Sequence, residues 1–203
     1  FTNDGVLSVY NEGDDTFTPI YYYKDPGTND ARFNCVSALG ISDNVVGAAI
    51  GLSNGELILA RIPYNNGKLV TTPLTNASCT FFDALPEISS ITAIKAFQYD
   101  INGDETPENL ILAGGTKVTD KTFVIRINDI NTPSKHYKIV LKEAVKVTDF
   151  AIVNGYLYIS AIQSNGKGIV YTVSLKNLTA INGKDVVTSS GTYITLGDSV
   201  LVP

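Results

Sequence analysis

Apolar residues alternate with polar ones along most of the chain, and short polar turns interrupt the alternation. A period of two is typical of β-strands that bury one face. Runs rich in Val, Ile, Thr and Tyr lie between the turns, which suits half-buried strands. The dipeptide Asn-Gly favours tight hairpins, and it begins at Asn54, Asn66, Asn102, Asn154, Asn165 and Asn182. The pattern predicts an all-β chain of short antiparallel strands.

A repeated unit emerges when these segments are aligned with one another. Val36, Ile91 and Val147 each begin a segment in which a β-branched residue precedes a hydroxyl residue, a small or acidic residue and a large apolar residue. The three starts lie 55 and 56 residues apart. We expect each first strand to be followed by a second (46–52, 109–114, 155–162), a third (56–62, 122–128, 168–175) and a fourth (about 67–74, 136–142, 185–196). Residues 5–10 and 16–23 match a third and a fourth strand.

Four antiparallel strands repeating at this spacing resemble the blades of a β-propeller. We therefore predict one all-β domain over 1–203: a half blade (1–30), three blades (31–76, 77–143, 144–196) and a tail (197–203) that closes the ring or begins a further strand. Unpaired strand edges are avoided in proteins, so either the tail completes the first blade or the chain is a fragment of a larger propeller. The alternative is a β-sandwich or jelly roll with coincidental spacing.

Residues 100–108 have the spacing of a calcium loop. Side chains at alternate positions can converge on one ion while the chain turns, and Gly103 permits the bend. Calcium takes six to eight hard oxygen ligands. The expected ligands are the side chains of Asp100, Asn102 and Asp104, the carbonyl oxygen of Thr106 and the carboxylate of Glu108.

Together with the apolar run 109–115, this loop resembles the calcium loop of FG-GAP repeats, which form the propellers of integrin α subunits and many bacterial surface proteins. The resemblance implies a loop that joins adjacent strands of one blade. Two positions depart from the family: Glu105 stands where glycine is usual, and Glu108 stands where aspartate is favoured. Without an ion, the segment would be an acidic Asn-Gly turn.

Composition favours an extracellular or cell-surface location. Two cysteines, Cys35 and Cys79, predict one disulfide, the alternative being two buried free thiols. Asn76 and Asn177 begin glycosylation sequons. The chain contains no methionine and begins at Phe1, so we expect a processed chain or a fragment.

Charge excludes one class of partner. The net charge is −5, whereas nucleic-acid binding needs clustered lysine and arginine. No apolar stretch is long enough to span a bilayer.

Catalytic groups are sparse. His136 is the single histidine, and its charged surroundings indicate a solvated outer strand rather than a catalytic triad. Gly114-Gly115 fits a hairpin turn better than a phosphate-binding loop. In the run Tyr21–Tyr23, alternation places Tyr21 and Tyr23 on one face, packed against a neighbouring unit, with an exposed aromatic patch as the alternative.

The sequence therefore predicts a non-catalytic binding or structural module, stabilised by calcium, at an extracellular surface. Its expected partner is a protein, a surface polysaccharide or another copy of itself. One alternative is the propeller of a secreted carbohydrate-active enzyme, which needs acidic residues from several blades around a pocket. Another is a capsid, pilus or S-layer subunit with sandwich topology.

Overall fold

All regular structure in the described part of the chain is β-strand, apart from two short 3-10 helices at Asn76–Ser78 and Leu175–Asn177. These observations come from a computed structural model, which describes residues 5–23, 31–82, 87–133, 136–141, 144–178 and 192–195. The prediction of an all-β chain is confirmed.

The strands form four antiparallel sheets that follow one another along the chain. Sheet I contains β1 (Val6–Asn11) and β2 (Thr16–Tyr22). Sheet II contains β3 (Phe33–Ser42), β4 (Val45–Leu52), β5 (Leu57–Asn65), β6 (Lys68–Leu69) and β7 (Cys79–Phe82). Sheet III contains β8 (Ala93–Tyr99), β9 (Glu108–Thr116), β10 (Phe123–Asp129) and β11 (His136–Leu141). Sheet IV contains β12 (Ala144–Val153), β13 (Tyr156–Gln163), β14 (Gly168–Ser174) and β15 (Thr192–Thr195).

Asn-Gly turns join several of these strands as the sequence predicts. In the turn between β12 and β13, Asn154 has φ +51° and Gly155 has φ +79°. Both central residues of a type I′ turn need this left-handed conformation, which matches the twist of the flanking strands. Asn182 lies outside the described residues.

The fourth strand of sheet II differs from the prediction at 67–74. A tight turn at Asn66-Gly67 pairs only Lys68–Leu69 with the end of β5. The chain then returns, and β7 pairs with the first half of β5 at Leu57–Ala60. Phe82 is buried between sheets II and III, so apolar packing places the fourth strand here. Sheet II therefore extends past the unit boundary predicted at residue 76.

Gly114 and Gly115 lie inside β9 and not in the predicted hairpin turn. A Cβ atom on Gly115 would overlap the carbonyl oxygen of Ser90 and would lie 3.0 Å from Ile88 Cδ1. Glycine within a strand commonly marks such a close approach of another backbone. Here it lets residues 88–92 lie against sheet III.

Three hydrophobic clusters lie between successive sheets. Residues of β5 alternate between two of them: Leu57 and Leu59 pack towards sheet III, whereas Ile58 and Ala60 pack towards sheet I. Residues of β9 alternate in the same way between the clusters on either side of sheet III. Sheets II and III are therefore buried on both faces, whereas the described residues of sheets I and IV pack against another sheet on one face only.

Candidate functional site

The predicted calcium loop joins β8 to β9 within sheet III. Tyr99, the last residue of β8, pairs with Glu108, the first residue of β9. Asp100 follows Tyr99 directly, so the hairpin holds the first and last expected ligands beside each other at the base of the loop. This position, between adjacent strands of one sheet, is the one that the FG-GAP resemblance implies.

Three carboxylates converge in this loop. Asp100, Asp104 and Glu108 each offer an oxygen, and these oxygens lie within 4.8 Å of one another. Two oxygens that bind one calcium ion from opposite sides are about 5 Å apart, since calcium–oxygen distances are about 2.3–2.6 Å. The spacing of the three groups therefore fits a single calcium ion.

Backbone amides fix the Asp100 carboxylate. Its Oδ1 accepts hydrogen bonds from the amides of Gly103 at 2.6 Å and Asp104 at 3.2 Å, and its Oδ2 accepts one from Glu105 at 2.8 Å. The amide of Thr106 donates to Asp104 Oδ1 at 2.8 Å. The loop is thus wrapped around its own acidic side chains, which positions them before any ion binds.

The orientation of Asn102 differs from that of a calcium ligand. Its Nδ2 donates to Asp104 Oδ2 at 3.1 Å and also to Glu108 Oε1, while its Oδ1 accepts from the Asp104 amide at 2.8 Å. The Asn102 amide group therefore donates hydrogen bonds to two carboxylates. In this way it offsets their repulsion, as a bound cation would. For Asn102 to ligate calcium, its amide must turn so that the oxygen faces the ion.

Glu105 has a left-handed backbone, with φ +68°. This is the position at which the FG-GAP family usually has glycine. The loop therefore keeps the backbone conformation that glycine adopts easily. Because a left-handed φ costs a residue with a Cβ roughly 1–2 kcal/mol, Glu105 holds this conformation under strain.

The predicted disulfide is wrong, and Cys35 and Cys79 are both free. Cys35 lies on β3 and Cys79 on β7, with β4 and β5 between them. Neighbouring strands are about 4.8 Å apart, so three spacings far exceed the roughly 7 Å that a disulfide tolerates between Cα atoms. The two side chains also face different clusters: Cys35 packs between sheets II and III, and Cys79 between sheets I and II.

Burial makes both thiols poor nucleophiles. It raises the pKa of Cys35 from 9.0 to about 11, although a hydrogen bond with the backbone of Gly51 opposes the shift. Burial also raises the pKa of Cys79, against a hydrogen bond with Tyr21 and the charge of Arg61. Because the thiolate is the reactive form, neither cysteine is activated for catalysis.

The sequons have different positions. Asn76 is exposed in the 3-10 helix before β7, and its Oδ1 accepts a hydrogen bond from the Tyr21 hydroxyl at 3.1 Å. The side chain of Asn177 and residue Thr179 lie outside the described residues. Glycosylation at both positions stays a prediction.

The tyrosine run has the predicted alternation. Tyr21 is buried and Tyr23 packs with it in the cluster between sheets I and II, whereas Tyr22 is exposed. His136 is half-buried at the start of β11, where it pairs with Asn128, rather than fully solvated.

Sequence reasoning considered an exposed aromatic patch only at Tyr21–Tyr23 and missed the extent of two exposed apolar surfaces. Eight large apolar side chains are exposed in the described part of the chain, and six of them lie on the outer faces of the first and last sheets. The front face, on sheet I, consists of Tyr10, Phe17 and Tyr22. The rear face, on sheet IV, consists of Val153, Tyr156 and Tyr158. Alternation gives the side of each strand, but only the order of the sheets shows that no other described sheet packs against these two sides.

No helix in the described ranges has both the length and the apolar character needed to cross a membrane. No protein-family model and no curated protein sequence matches this chain.

Proposed function

We propose that the chain is a non-catalytic binding or structural module of an extracellular surface protein, with a β-propeller fold stabilised by calcium in the 100–108 loop. The observation that carries this proposal is the convergence of three carboxylates in a hairpin loop of a sheet that is buried on both faces.

The packing of the sheets supports the propeller proposal. In a two-layer sandwich each sheet buries one face and alternates with outward-facing polar residues. The described strands of sheets II and III instead have apolar clusters on both sides, and the sheets follow one another in chain order. Successive up-and-down sheets packed in this way are typical of propeller blades.

The donor set supports calcium as the ion. Asp100, Asp104 and Glu108 supply hard carboxylate oxygens, which calcium prefers. Asn102 and the carbonyl of Thr106 would add two further oxygens. When bound, calcium would neutralise the acidic groups and fix the loop against sheet III. Its role would be structural, because it would hold the hairpin loop that joins two adjacent strands of sheet III.

Calorimetric titration and thermal unfolding test the calcium site. A ligand that binds only the folded state raises stability by about 2.7 kcal/mol at 100 times its dissociation constant. We expect calcium to raise the melting temperature of the wild type and not of Asp104→Asn. The matched control is Asp43→Asn, which removes an exposed carboxylate from the turn between β3 and β4 and should leave the calcium effect unchanged. A wild type that shows no heat of binding and no shift with calcium would overturn the site.

Labelling of intact source cells tests the location. An antibody raised against the purified chain should bind intact cells when the chain belongs to a surface protein. Binding that requires permeabilised cells would contradict a surface role while leaving the calcium result intact.

A further inference from the structure

The two outer faces have the composition of a buried interface. Phe17 is 69% exposed, Tyr22 59% and Val153 52%. On the front face, the rings of Tyr10 and Phe17 are in contact with their centroids 5.0 Å apart, so they form one continuous aromatic surface. Large exposed apolar surfaces mark interaction sites, and stacked repeat units normally end in a polar face. Among the described residues, neither outer face is polar in that way.

The charges around the two faces are opposite. Glu12, Asp14 and Asp15 lie in the turn of sheet I, and residues 5–23 contain no lysine or arginine. The described part of sheet IV with its turns, residues 144–178, contains three lysines and one carboxylate: Lys146, Lys167, Lys176 and Asp149. Lys176 lies beside Gly155, near Tyr99 of sheet III, so the net positive charge around the rear face comes from Lys146 and Lys167 against Asp149.

This distribution selects one mode of pairing. Front against front would bring two acidic turns together, and rear against rear would bring two basic sheets together. Front against rear brings opposite charges together, and complementary potentials speed association and fix its orientation. A front-to-rear contact between identical chains is heterologous, so it continues into a ring or a filament.

We propose that the front face of one copy docks on the rear face of a second copy, head to tail. Tyr10, Phe17 and Tyr22 of one copy pack against Val153, Tyr156 and Tyr158 of the next. The contact continues the sheet-on-sheet packing that already exists between sheets I and II, II and III, and III and IV. The inference specifies the partner of the surface module proposed above and rests on that proposal.

Sedimentation velocity over a range of concentrations tests this docking. We expect the wild type to exceed its monomer mass of 21.8 kDa increasingly as concentration rises. Phe17→Lys places a positive charge on the front face, and Tyr158→Glu places a negative charge on the rear face, so each should repel the opposing face. Each variant alone should associate at least about tenfold more weakly, a change of about 1.4 kcal/mol.

Mixing the two variants gives the decisive result. The Phe17→Lys chain keeps an intact rear face and the Tyr158→Glu chain an intact front face, so a head-to-tail interface predicts that the mixture recovers association. A front-to-front interface predicts instead that Tyr158→Glu alone associates like the wild type, and a rear-to-rear interface predicts the same of Phe17→Lys alone. Either result would overturn the proposal. A wild type that stays at the monomer mass at every concentration would overturn it as well, in favour of faces covered within one chain or by another protein.

Controls separate this result from folding and from the calcium site. Val118→Lys changes an exposed apolar residue in the turn before β10, off both faces, and should associate like the wild type. Tyr22→Lys and Tyr156→Glu replace either principal variant if its circular dichroism shows loss of fold. Comparing sedimentation with the calcium response of the melting temperature distinguishes the two proposals. Association without a calcium response would reject only the metal site. A calcium response without association would reject only the docking.

Discussion

Replacing Gly115 with alanine tests the close approach between β9 and residues 88–92. The new methyl group would overlap the carbonyl oxygen of Ser90 and lie 3.2 Å from its carbonyl carbon. A backbone carbonyl cannot rotate aside as a side chain can, so the segment must move. The same segment is held by the hydrogen bond from the Thr92 amide to the Gly114 carbonyl, 2.9 Å long. Movement would lengthen this hydrogen bond and would loosen the packing of Ile88 beside it.

We expect Gly115→Ala to lower the free energy of unfolding by about 2–3 kcal/mol, from overpacking of about 1–3 kcal/mol and a weakened hydrogen bond of about 0.5–1.5 kcal/mol. For a chain of this length, the melting temperature should fall by roughly 4–12 °C. Urea and thermal unfolding followed by circular dichroism provide the measurement. Gly40→Ala is the matched control, because a Cβ at Gly40 in β3 meets nothing within 4 Å; its effect should be near zero or stabilising by less than about 1 kcal/mol. Equal stabilities for the two variants would refute the close approach.

Three further predictions concern the loop and the thiols. Asn102→Asp should lower the free energy of unfolding in chelator by about 1–2 kcal/mol, because a hydrogen-bond donor between two carboxylates becomes a third carboxylate. The same variant should bind calcium more tightly in calorimetric titration, and an unchanged affinity would exclude position 102 as a ligand. Glu105→Gly should raise the melting temperature in calcium and in chelator alike by relieving about 1 kcal/mol of left-handed strain, and a lower melting temperature would contradict that strain. Because the folded pKa of Cys35 is raised from 9.0 to about 11, stability should be full below pH 9.0 and fall as the pH rises towards 11. In urea unfolding across this window, Cys35→Ala should show a shallower fall, and identical slopes would show that Cys35 does not titrate in this range.

Local signals in the sequence predicted most strands and turns. Asn154-Gly155 needs only its own backbone preference to form a hairpin, and β8, β9 and β10 follow from alternation within a few residues. The convergence of carboxylates at 100–108 is equally local, since these acidic residues lie within nine positions of the chain. Such features depend little on the rest of the molecule.

The errors arose where distant segments decide the structure. The turn at Asn66-Gly67 begins a hairpin, but only the burial of Phe82 shows that another segment completes the sheet. Two cysteines suggest a disulfide by number, whereas their separation depends on the order of strands between them. The sequence around Gly115 does not distinguish a glycine in a turn from a glycine at a close approach between segments, because both roles depend on the absence of a Cβ atom.

The placement of the two cysteines has a practical consequence. Each thiol lies in a different cluster, one between sheets I and II and the other between sheets II and III, and the sequence contains no third cysteine. Both thiols are half-buried, so native-state thiol labelling, with each rate compared with that of its thiol's exposed fraction in the folded state, can time the opening of each interface separately without any introduced probe. If the sheets separate one at a time, Cys79 and Cys35 will be labelled at different rates; if the stack opens as one cooperative unit, a single rate will describe both.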